Sequence, residues 1–354
     1  MQTHTDVTIV TGTRPEIIKM APVYQELKNQ NILVRWCHSG QHRELAEQAF
    51  EYFKIVPNQM LSRPPASNLS SLLSGLIQQV NDELNQFLPK VVLTHGDTLT
   101  TMAGTLTAFL NKIPLIGHVE AGLRSGSMDH PFPEEANRKV VAVMANRHYA
   151  PSEHARQNLL HEGKHNRDIV VTGNTVIDAQ KYFVPSPPTN INNNILVTVH
   201  RRENWDKIET ICIALRHILS EFKDYNATVV LHPNPDLTQK ICSYLSNHKQ
   251  ISLVKSLSYP ELQCTLATSK LVLTDSGGIQ EEAPTYGVPV VVLRETTERP
   301  EAVNAGVASL SGASNISRIV MSAINMLNIT KTITNPYGDG SASRRIVSDL
   351  QNLM

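Results

Sequence analysis

The sequence predicts an α/β protein made of two doubly wound, parallel-sheet domains. Two observations favour this class: short apolar runs rich in β-branched residues alternate with longer helical patterns, and the runs fall into two series. A chain of 354 residues is also long for one hydrophobic core, so two domains of ordinary size are expected. Repeated βαβ units in each series predict a Rossmann-like arrangement in both domains.

The predicted strands are nearly continuous apolar runs, typical of strands that are covered on both faces. The first series comprises Val7–Val10, Ile32–Cys37, Val91–Thr94, Pro114–Val119 and Ile169–Thr172. The second series comprises Ile195–Val199, Thr228–Leu231, Ile251–Val254, Leu271–Thr274 and Pro289–Leu293.

The domain boundary is expected near Gly173–Asn174, with domains at 1–172 and 173–342. A segment rich in proline and asparagine, Pro185–Asn194, cannot continue a helix and predicts an exposed loop that enters the second sheet. The tail, 343–354, has helical spacing of its apolar residues and predicts a helix that packs back on one of the domains.

Composition excludes several classes of function. The net charge is zero and the pI is about 7.3, so no basic field attracts nucleic acid or an anionic membrane. No signal peptide or membrane span is evident, and we expect a cytoplasmic protein with buried, reduced cysteines. The 14 histidines lack a ligand spacing, so we predict no metal.

Unusual polar clusters follow the predicted strands directly, and ligands of open parallel sheets bind outside the carboxyl ends of the strands. Contributions from both halves of the chain indicate a ligand cleft between the two domains. The clusters are Thr11–Glu16, His95–Asp97, Glu120–Arg124, His200–Asn204, His232–Asn234, Asp275–Gly278 and Arg294–Arg299.

The segment Asp275–Glu282 is the clearest of these signals. Ser276 can cap the following helix, while Gly277 and Gly278 let a ligand approach the backbone, which predicts a phosphate site at the helix start. A plain N-cap turn is the alternative. Glu282, one turn further on, suits the vicinal hydroxyls of a ribose, or is an ordinary first-turn acid.

The cluster after the first strand places Pro15 at a predicted first helical position. Arg14 and Lys19 can both reach a ligand at the strand end, and two solvated cations are the alternative. No Gly-x-Gly-x-x-Gly pattern follows this strand, so no dinucleotide cofactor is predicted.

Candidate catalytic groups are the carboxylates Asp97, Glu120 and Glu134, together with Arg138. Asp97 and Glu120 end neighbouring apolar strands, where an unpaired charge is costly. Glu134 begins a predicted helix, and Arg138 follows four residues later, so an ordinary ion pair is the alternative. Gathered carboxylates can hold different protonation states and so act as acid and base.

Taken together, these motifs identify a resemblance. The chain is similar to the bacterial non-hydrolysing UDP-N-acetylglucosamine 2-epimerases along essentially its whole length. The matching segments are Gly12–Pro22, His95–Thr98, Gly117–Arg124, Pro133–Arg138, Thr172–Asp178, His200–Glu203, Thr274–Pro284, Thr296–Glu301 and Asn335–Gly340.

The resemblance implies a glycosyltransferase-B-like fold with the active site in the interdomain cleft. It implies interconversion of UDP-N-acetylglucosamine and UDP-N-acetylmannosamine through elimination of UDP to 2-acetamidoglucal and re-addition. It further implies no metal or nicotinamide cofactor, and a cytoplasmic homodimer that supplies surface-polysaccharide synthesis.

The resemblance also suggests residue roles. Asp97, Glu120 and Glu134 share proton transfer and cation stabilisation, without a further assignment among them. Arg138 holds Glu134 or the sugar, and His200 contacts the leaving phosphate. The residues expected to bind UDP are Arg14, Lys19, Ser276, Gly277, Gly278, Glu282 and Arg299.

The chain departs from the family in two places. Relatives that are activated by a second UDP-N-acetylglucosamine carry Pro-Gly-Gln where this chain has Pro65–Ser67, although Gln41, His42 and Arg202 resemble other parts of that allosteric site. Leu257 and Leu262 stand where the family often has a glutamine and an aromatic residue near the uracil.

Three other functions stay open from the sequence. A UDP-sugar glycosyltransferase on the same fold explains the Asp275–Gly278 segment equally well but not the three carboxylates. A hydrolysing epimerase releases free N-acetylmannosamine and UDP. A catalytically silent nucleotide-sugar sensor is disfavoured by the intact set of Asp97, Glu120, Glu134 and Arg138.

Overall fold

A computed structural model describes residues 5–41, 43–129, 131–186, 191–329 and 332–354. The chain divides into two compact units, one comprising Met1–Ala179 with Gly338–Met354 and the other Gln180–Tyr337. Each unit contains one parallel sheet, and the predicted pair of doubly wound sheets is confirmed.

The first unit is built around a seven-stranded sheet in the order β3-β2-β1-β4-β5-β6-β7. The strands are β1 (Val7–Thr11), β2 (Val34–His38), β3 (Gln59–Met60), β4 (Val91–His95), β5 (Leu115–Val119), β6 (Arg147–Ala150) and β7 (Ile169–Val171). The helices are α1 (Arg14–Asn29), α2 (Arg43–Tyr52), α3 (Leu69–Phe87), α4 (Leu99–Leu110), α5 (Glu134–Met144), α6 (Glu153–His161) and α7 (Thr175–Gln180).

The second unit has a six-stranded sheet in the order β10-β9-β8-β11-β12-β13. Its strands are β8 (Asn194–Thr198), β9 (Asn226–Val230), β10 (Ile251–Val254), β11 (Leu271–Thr274), β12 (Val290–Val292) and β13 (Ala308–Leu310). Its helices are α8 (Ile208–Glu221), α9 (Pro235–Leu245), α10 (Tyr259–Thr268), α11 (Gly277–Glu282), α12 (Pro300–Asn304) and α13 (Ile316–Leu327).

The central strands are buried along their whole length, as the continuous apolar runs predicted. Every residue of β1, β4, β11 and β12 is buried, so each strand contributes side chains to the cores on both faces of its sheet. Burial on both faces removes the alternation of polar and apolar residues that a half-exposed strand shows.

Three strands were not predicted from the sequence. The four residues of β6, Arg-His-Tyr-Ala, are polar or mixed, yet β6 pairs with β5 through Gly117, His118 and Val119. The other two, β3 and β13, have two and three residues and give no periodic signal. In all three cases pairing with a neighbouring strand decides the conformation, rather than local composition.

The last helix, α14 (Ala342–Leu353), belongs to the first unit and packs against α1. The Asp178 carboxylate accepts hydrogen bonds from the backbone N–H groups of Ala342 and Ser343 at its start. Near its end, Asp349 accepts from the guanidinium of Arg147 and from the Tyr149 hydroxyl at 3.0 Å. The predicted terminal helix is therefore anchored at both ends.

The cysteines are all free, but only Cys37 and Cys212 are buried. The expectation of buried thiols is wrong for Cys264, which is exposed on α10. The described residues bring together no group of three or more His, Cys, Asp or Glu suited to a metal ion. In the same parts of the chain, no helix combines the length and the apolarity needed to cross a membrane.

Candidate functional site

In each sheet, two of the predicted polar clusters follow the two central strands. The strand order reverses between β1 and β4 in the first unit, and between β8 and β11 in the second. Loops leave such a pair towards opposite faces, which opens a crevice at the carboxyl ends, where ligands of doubly wound sheets bind. Each unit therefore has a candidate crevice at its own switch point.

In the first unit, Glu120 and Lys19 form an ion pair. Glu120 follows β5 directly, and Lys19 lies in the second turn of α1 and is buried. The amide of Asn174 also donates to Glu120 Oε2 at 3.0 Å. Glu120 has a φ of 65°, in the left-handed region that costs an ordinary residue roughly 1 kcal/mol. Lys19, which was expected at UDP, thus lies beside a candidate catalytic carboxylate.

Asp97, which follows β4, pairs with Arg138 of α5. The Nη2 group of Arg138 lies 2.6 Å from Asp97 Oδ2, and its Nη1 group lies 2.9 Å from Glu135 Oε2. Arg138 was expected to hold Glu134 or the sugar; among the described residues it pairs with Asp97 and Glu135 and not with Glu134. The side chain of Arg138 extends from α5 to the end of β4, where its guanidinium forms ion pairs with both Glu135 and Asp97.

Glu134 is the first residue of α5 and is half-buried. Its Oε2 atom is buried and makes no hydrogen bond within the described part of the chain. An unsatisfied buried carboxylate oxygen is costly, so this atom is available to a ligand that supplies a donor.

Two buried histidines, His95 and His118, lie close enough to Glu120 to interact with its charge. Burial lowers the pKa of His95 to about 4 and that of His118 to about 3, so both rings are neutral at pH 7. His118 Nε2 lies 2.7 Å from the carbonyl oxygen of Gly96. The Nε2 atom of His95 lies 3.8 Å from Glu120 Oε2.

Glu16 was not singled out from the sequence. Its buried carboxylate accepts the N–H groups of Gly12 and Thr13 through Oε2, at 3.1 and 2.7 Å. The Thr98 and Thr101 hydroxyls lie 3.0 and 3.1 Å from Oε1. Glu16 thus joins the turn after β1 to the start of α4. The spacing Thr13-x-x-Glu16 is a capping-box signature that could have indicated it.

Arg14 is half-buried at the first position of α1. Pro15 occupies the second position rather than the predicted first, where its missing N–H still costs nothing. Arg14 is therefore at the carboxyl end of β1, as predicted.

In the second unit, Asp275 organises the loop after β8. Its fully buried carboxylate accepts the backbone N–H groups of His200 and Arg201 at 2.9 and 3.0 Å, and the Asn204 amide at 2.9 Å. The segment after β11 therefore fixes the backbone of the segment after β8. The His200 side chain is exposed there.

The start of α11 carries the predicted phosphate segment. Ser276 is the N-cap residue, but its side chain makes no capping hydrogen bond within the described residues, so the predicted cap is wrong. A Cβ atom on Gly277 would lie 2.5 Å from Arg299 Nη1, whereas one on Gly278 would meet nothing closer than 3.9 Å. Gly277 therefore makes room for Arg299, and Gly278 leaves open space.

Glu282 ends α11 and is buried. It accepts a hydrogen bond from the Gln263 amide at 2.7 Å, and the Tyr259 hydroxyl lies 3.3 Å away. These two side chains of α10 fix the orientation of the carboxylate.

Arg299 lies in a group of arginines around Glu298. It donates to Glu281 at 2.6 Å and to Glu298 at 2.5 Å, and Arg294 donates to Glu298 at 2.7 Å. Burial by itself raises the pKa of Glu298, but the charges of Arg299 and Arg294 outweigh it and lower the pKa to about 2. These contacts keep the guanidinium of Arg299 in place near the start of α11.

Of the residues that resemble an allosteric site, Gln41 belongs to the first unit, just after β2, and Arg202 to the second. The guanidinium carbon of Arg202 is 5.8 Å from the centre of the Trp205 ring. His42 lies outside the described residues. Leu257 and Leu262 are partly buried against the core of the second unit.

The chain matches one family model over residues 25–351, that of "UDP-N-acetylglucosamine 2-epimerase". It is also 41% identical to the UDP-N-acetylglucosamine 2-epimerase of Escherichia coli O157:H7, over 98% of each chain. The chain belongs to the UDP-N-acetylglucosamine 2-epimerase family. The family predicted from the motifs is therefore confirmed.

Solved structures of epimerases from this family share the fold. One is a crystal structure of the Neisseria meningitidis UDP-GlcNAc 2-epimerase bound to UDP-GlcNAc, at a TM-score of 0.87 and 38% identity, covering 98% of this chain and 100% of that one. Another is the Methanocaldococcus jannaschii UDP-GlcNAc 2-epimerase in complex with UDP-GlcNAc and UDP, at a TM-score of 0.84 and 32% identity, covering 98% and 99%.

Proposed function

We propose that the chain catalyses the reversible C2 epimerisation of UDP-N-acetylglucosamine to UDP-N-acetylmannosamine without releasing free sugar. The observation that carries the proposal is the pair of ionic contacts at adjacent strand ends, Lys19 with Glu120 and Arg138 with Asp97. Membership of the epimerase family supports the choice of substrate.

The chemistry needs a base and a stabilised leaving group, because the proton on C2 of the sugar is a weak acid. Breaking the bond between C1 and the UDP oxygen places positive charge on C1 and makes that proton removable. UDP leaves with the electrons of the C1–O bond. A carboxylate takes the C2 proton, and the electrons of the C2–H bond form the C1–C2 double bond of 2-acetamidoglucal. Return of UDP to C1 and of a proton to the opposite face of C2 completes the epimerisation.

Asp97, Glu120 and Glu134 are proposed to share proton transfer and stabilisation of the positive charge at C1. The unsatisfied Oε2 atom of Glu134 supports a contact with substrate. Arg138 is proposed to orient Asp97 through their ion pair.

The second unit is proposed to supply the contacts to UDP. Arg299, placed over Gly277 by its contacts with Glu281 and Glu298, presents charge to the diphosphate. Ser276, Gly278 and Glu282 are proposed to bind the same nucleotide, together with Arg14 and Lys19. His200 is proposed to contact the leaving phosphate. The prediction that one substrate uses both units stays a prediction.

The reaction is tested by incubating the protein with UDP-N-acetylglucosamine in deuterated water and following the sugar by NMR. The proposal predicts deuterium at C2 and both epimers with UDP still attached. Absence of exchange at C2 contradicts it.

The same spectra separate the alternatives. Release of free N-acetylmannosamine and UDP indicates a hydrolysing epimerase. Consumption of the UDP-sugar only when an acceptor is added indicates a glycosyltransferase.

The homodimer, the cytoplasmic location, the supply of polysaccharide synthesis and activation by a second UDP-N-acetylglucosamine stay predictions from the family resemblance. Sedimentation velocity tests the dimer. A sigmoidal dependence of the reverse reaction on UDP-N-acetylglucosamine tests the activation.

A further inference from the structure

The imidazole ring of His95 is buried and forms no hydrogen bond within the described part of the chain. Its side chain ends β4, and the residue is 3% exposed. Neither ring nitrogen makes a hydrogen bond to any of the described residues. A buried polar group without a hydrogen bond is unfavourable, so such a group in a candidate active site indicates a partner that arrives in another state.

Several charged or titratable groups face the ring of His95: Glu120, Lys19, His118 and Asp97. Glu120 is the nearest acceptor, with its Oε2 atom 3.8 Å from His95 Nε2. A hydrogen bond needs about 2.9 Å, so a side-chain rotation of Glu120 that closes roughly 1 Å would form one. In the structure that carboxylate is instead held by Lys19 and Asn174.

We propose that His95 is a positioning residue that donates a hydrogen bond from Nε2–H to Glu120 when Lys19 turns towards an anionic ligand. The proposal rests on the proposed function only for the identity of that ligand, a nucleoside diphosphate. The carboxylate then exchanges a cationic partner for a neutral one.

The exchange has a chemical consequence. A neutral imidazole carries one proton, and the tautomer with that proton on Nε2 can hold the carboxylate in place. A lysine cation favours the ionised carboxylate more strongly than a neutral donor does, so the exchange makes Glu120 a better proton acceptor. Glu120 becomes a stronger base only after Lys19 has turned to contact the anionic group of the substrate.

The first test needs no substrate. In protein labelled with 15N-histidine, Lys19→Met removes the cation and should shift the His95 ring signals to a hydrogen-bonded Nε2–H tautomer. The double variant Lys19→Met/Glu120→Ala should lose that shift. Identical His95 signals in the wild type and Lys19→Met, or the same shift with and without Glu120, would overturn the proposal.

The second test is kinetic. His95→Leu should lower kcat for C2 exchange by about 10- to 100-fold with KM within about twofold, and move the pH profile of kcat. His95→Gln, whose amide nitrogen can replace Nε2–H, should recover much of the loss. Unchanged kcat in His95→Leu, or no recovery in His95→Gln, would contradict the proposal.

His148 provides the matched control. It is 1% exposed in β6 of the same sheet, and its Nδ1 atom also lacks a hydrogen bond to the described residues. His148→Leu should lower stability as His95→Leu does but leave the pH profile of kcat unchanged. If both variants lower kcat equally, His95 has only a structural role and the proposal is contradicted. An inactive wild-type protein would end the proposed function, while the NMR comparison would still decide the role of His95.

Discussion

The guanidinium of Arg299 lies directly over Gly277, so that a Cβ atom at residue 277 would come within 2.5 Å of Nη1. The two adjacent glycines therefore have different roles. Gly277 accommodates a side chain of the protein, and a Cβ atom on Gly278 would meet its nearest neighbours only at 3.9 Å.

Gly277→Ala should displace Arg299 from Glu281 and Glu298. We expect a loss of about 1–3 kcal/mol in the free energy of unfolding and a roughly tenfold weaker affinity for UDP. Gly278→Ala should keep the stability of the wild type but weaken the affinity for UDP, because Gly278 is proposed to bind the nucleotide. Thermal unfolding and calorimetric titration with UDP measure both. Equal stability of the two variants would contradict the separate roles.

Asp97→Asn and Glu120→Gln should each lower deuterium exchange at C2 by about 100- to 10,000-fold, because each removes a proposed proton carrier or charge stabiliser. UDP affinity should stay within about threefold, since neither group is proposed to bind the nucleotide. Asp6→Asn is the matched control, because Asp6 also pairs with a lysine, but this lysine, Lys90, is exposed. Exchange at the wild-type rate in Glu120→Gln would remove Glu120 from the mechanism.

The buried carboxyl of Glu16 should make stability depend on pH. Burial raises its pKa from 4.5 to about 7, against the opposing effect of the hydrogen bonds from Thr13 and Gly12. Between these values the folded state binds the proton and the unfolded state does not, so stability falls as the pH rises through this window.

Glu16→Gln removes the titration while an amide can still hydrogen-bond to the neighbouring hydroxyls. Relative to this variant, the wild type should lose about 1–3 kcal/mol of stability between about pH 5 and about pH 8, as measured by urea unfolding. Glu44→Gln, an exposed acid on α2, is the control. A difference between wild type and Glu16→Gln that does not change with pH would show that Glu16 does not titrate in this range.

Asp349 should matter for the stability of the first unit. It accepts hydrogen bonds from Arg147 and Tyr149, and both of its contacts join α14 to β6. Asp349→Ala should cost about 1–3 kcal/mol because it leaves a half-buried guanidinium without its anion. Asp339→Ala, which breaks an exposed pair with Arg345, should cost less than about 1 kcal/mol. Similar losses by denaturant unfolding in both variants would argue against the anchoring role of Asp349.

The sequence predicted the sheets because burial on both faces leaves a continuous apolar run, as in β4 and β11. It did not predict β6, since Arg147 and His148 belong to a strand only through their neighbours in the sheet. Strand ends could be located, and with them Asp97, Glu120 and the Asp275 segment. The apolar runs do not predict which side chains contact one another at those strand ends.

Lys19 and Glu120 are 101 residues apart, so no local spacing reveals their contact. For Arg138 the local pattern was misleading, because Glu134 and Glu135 are both within one helical turn and the distant Asp97 decides how the guanidinium points. The neutral state of His95 depends on enclosure by several elements, which composition cannot reveal.

The return of α14 to the first unit has a consequence during synthesis on the ribosome. The second unit is complete once Tyr337 has been made, whereas the first still lacks the segment that covers α1 and holds Arg147. The amino-terminal sheet therefore finishes its packing last, although it is translated first. A chain truncated just before Ala342 should have its early half, rather than its late half, open to proteases.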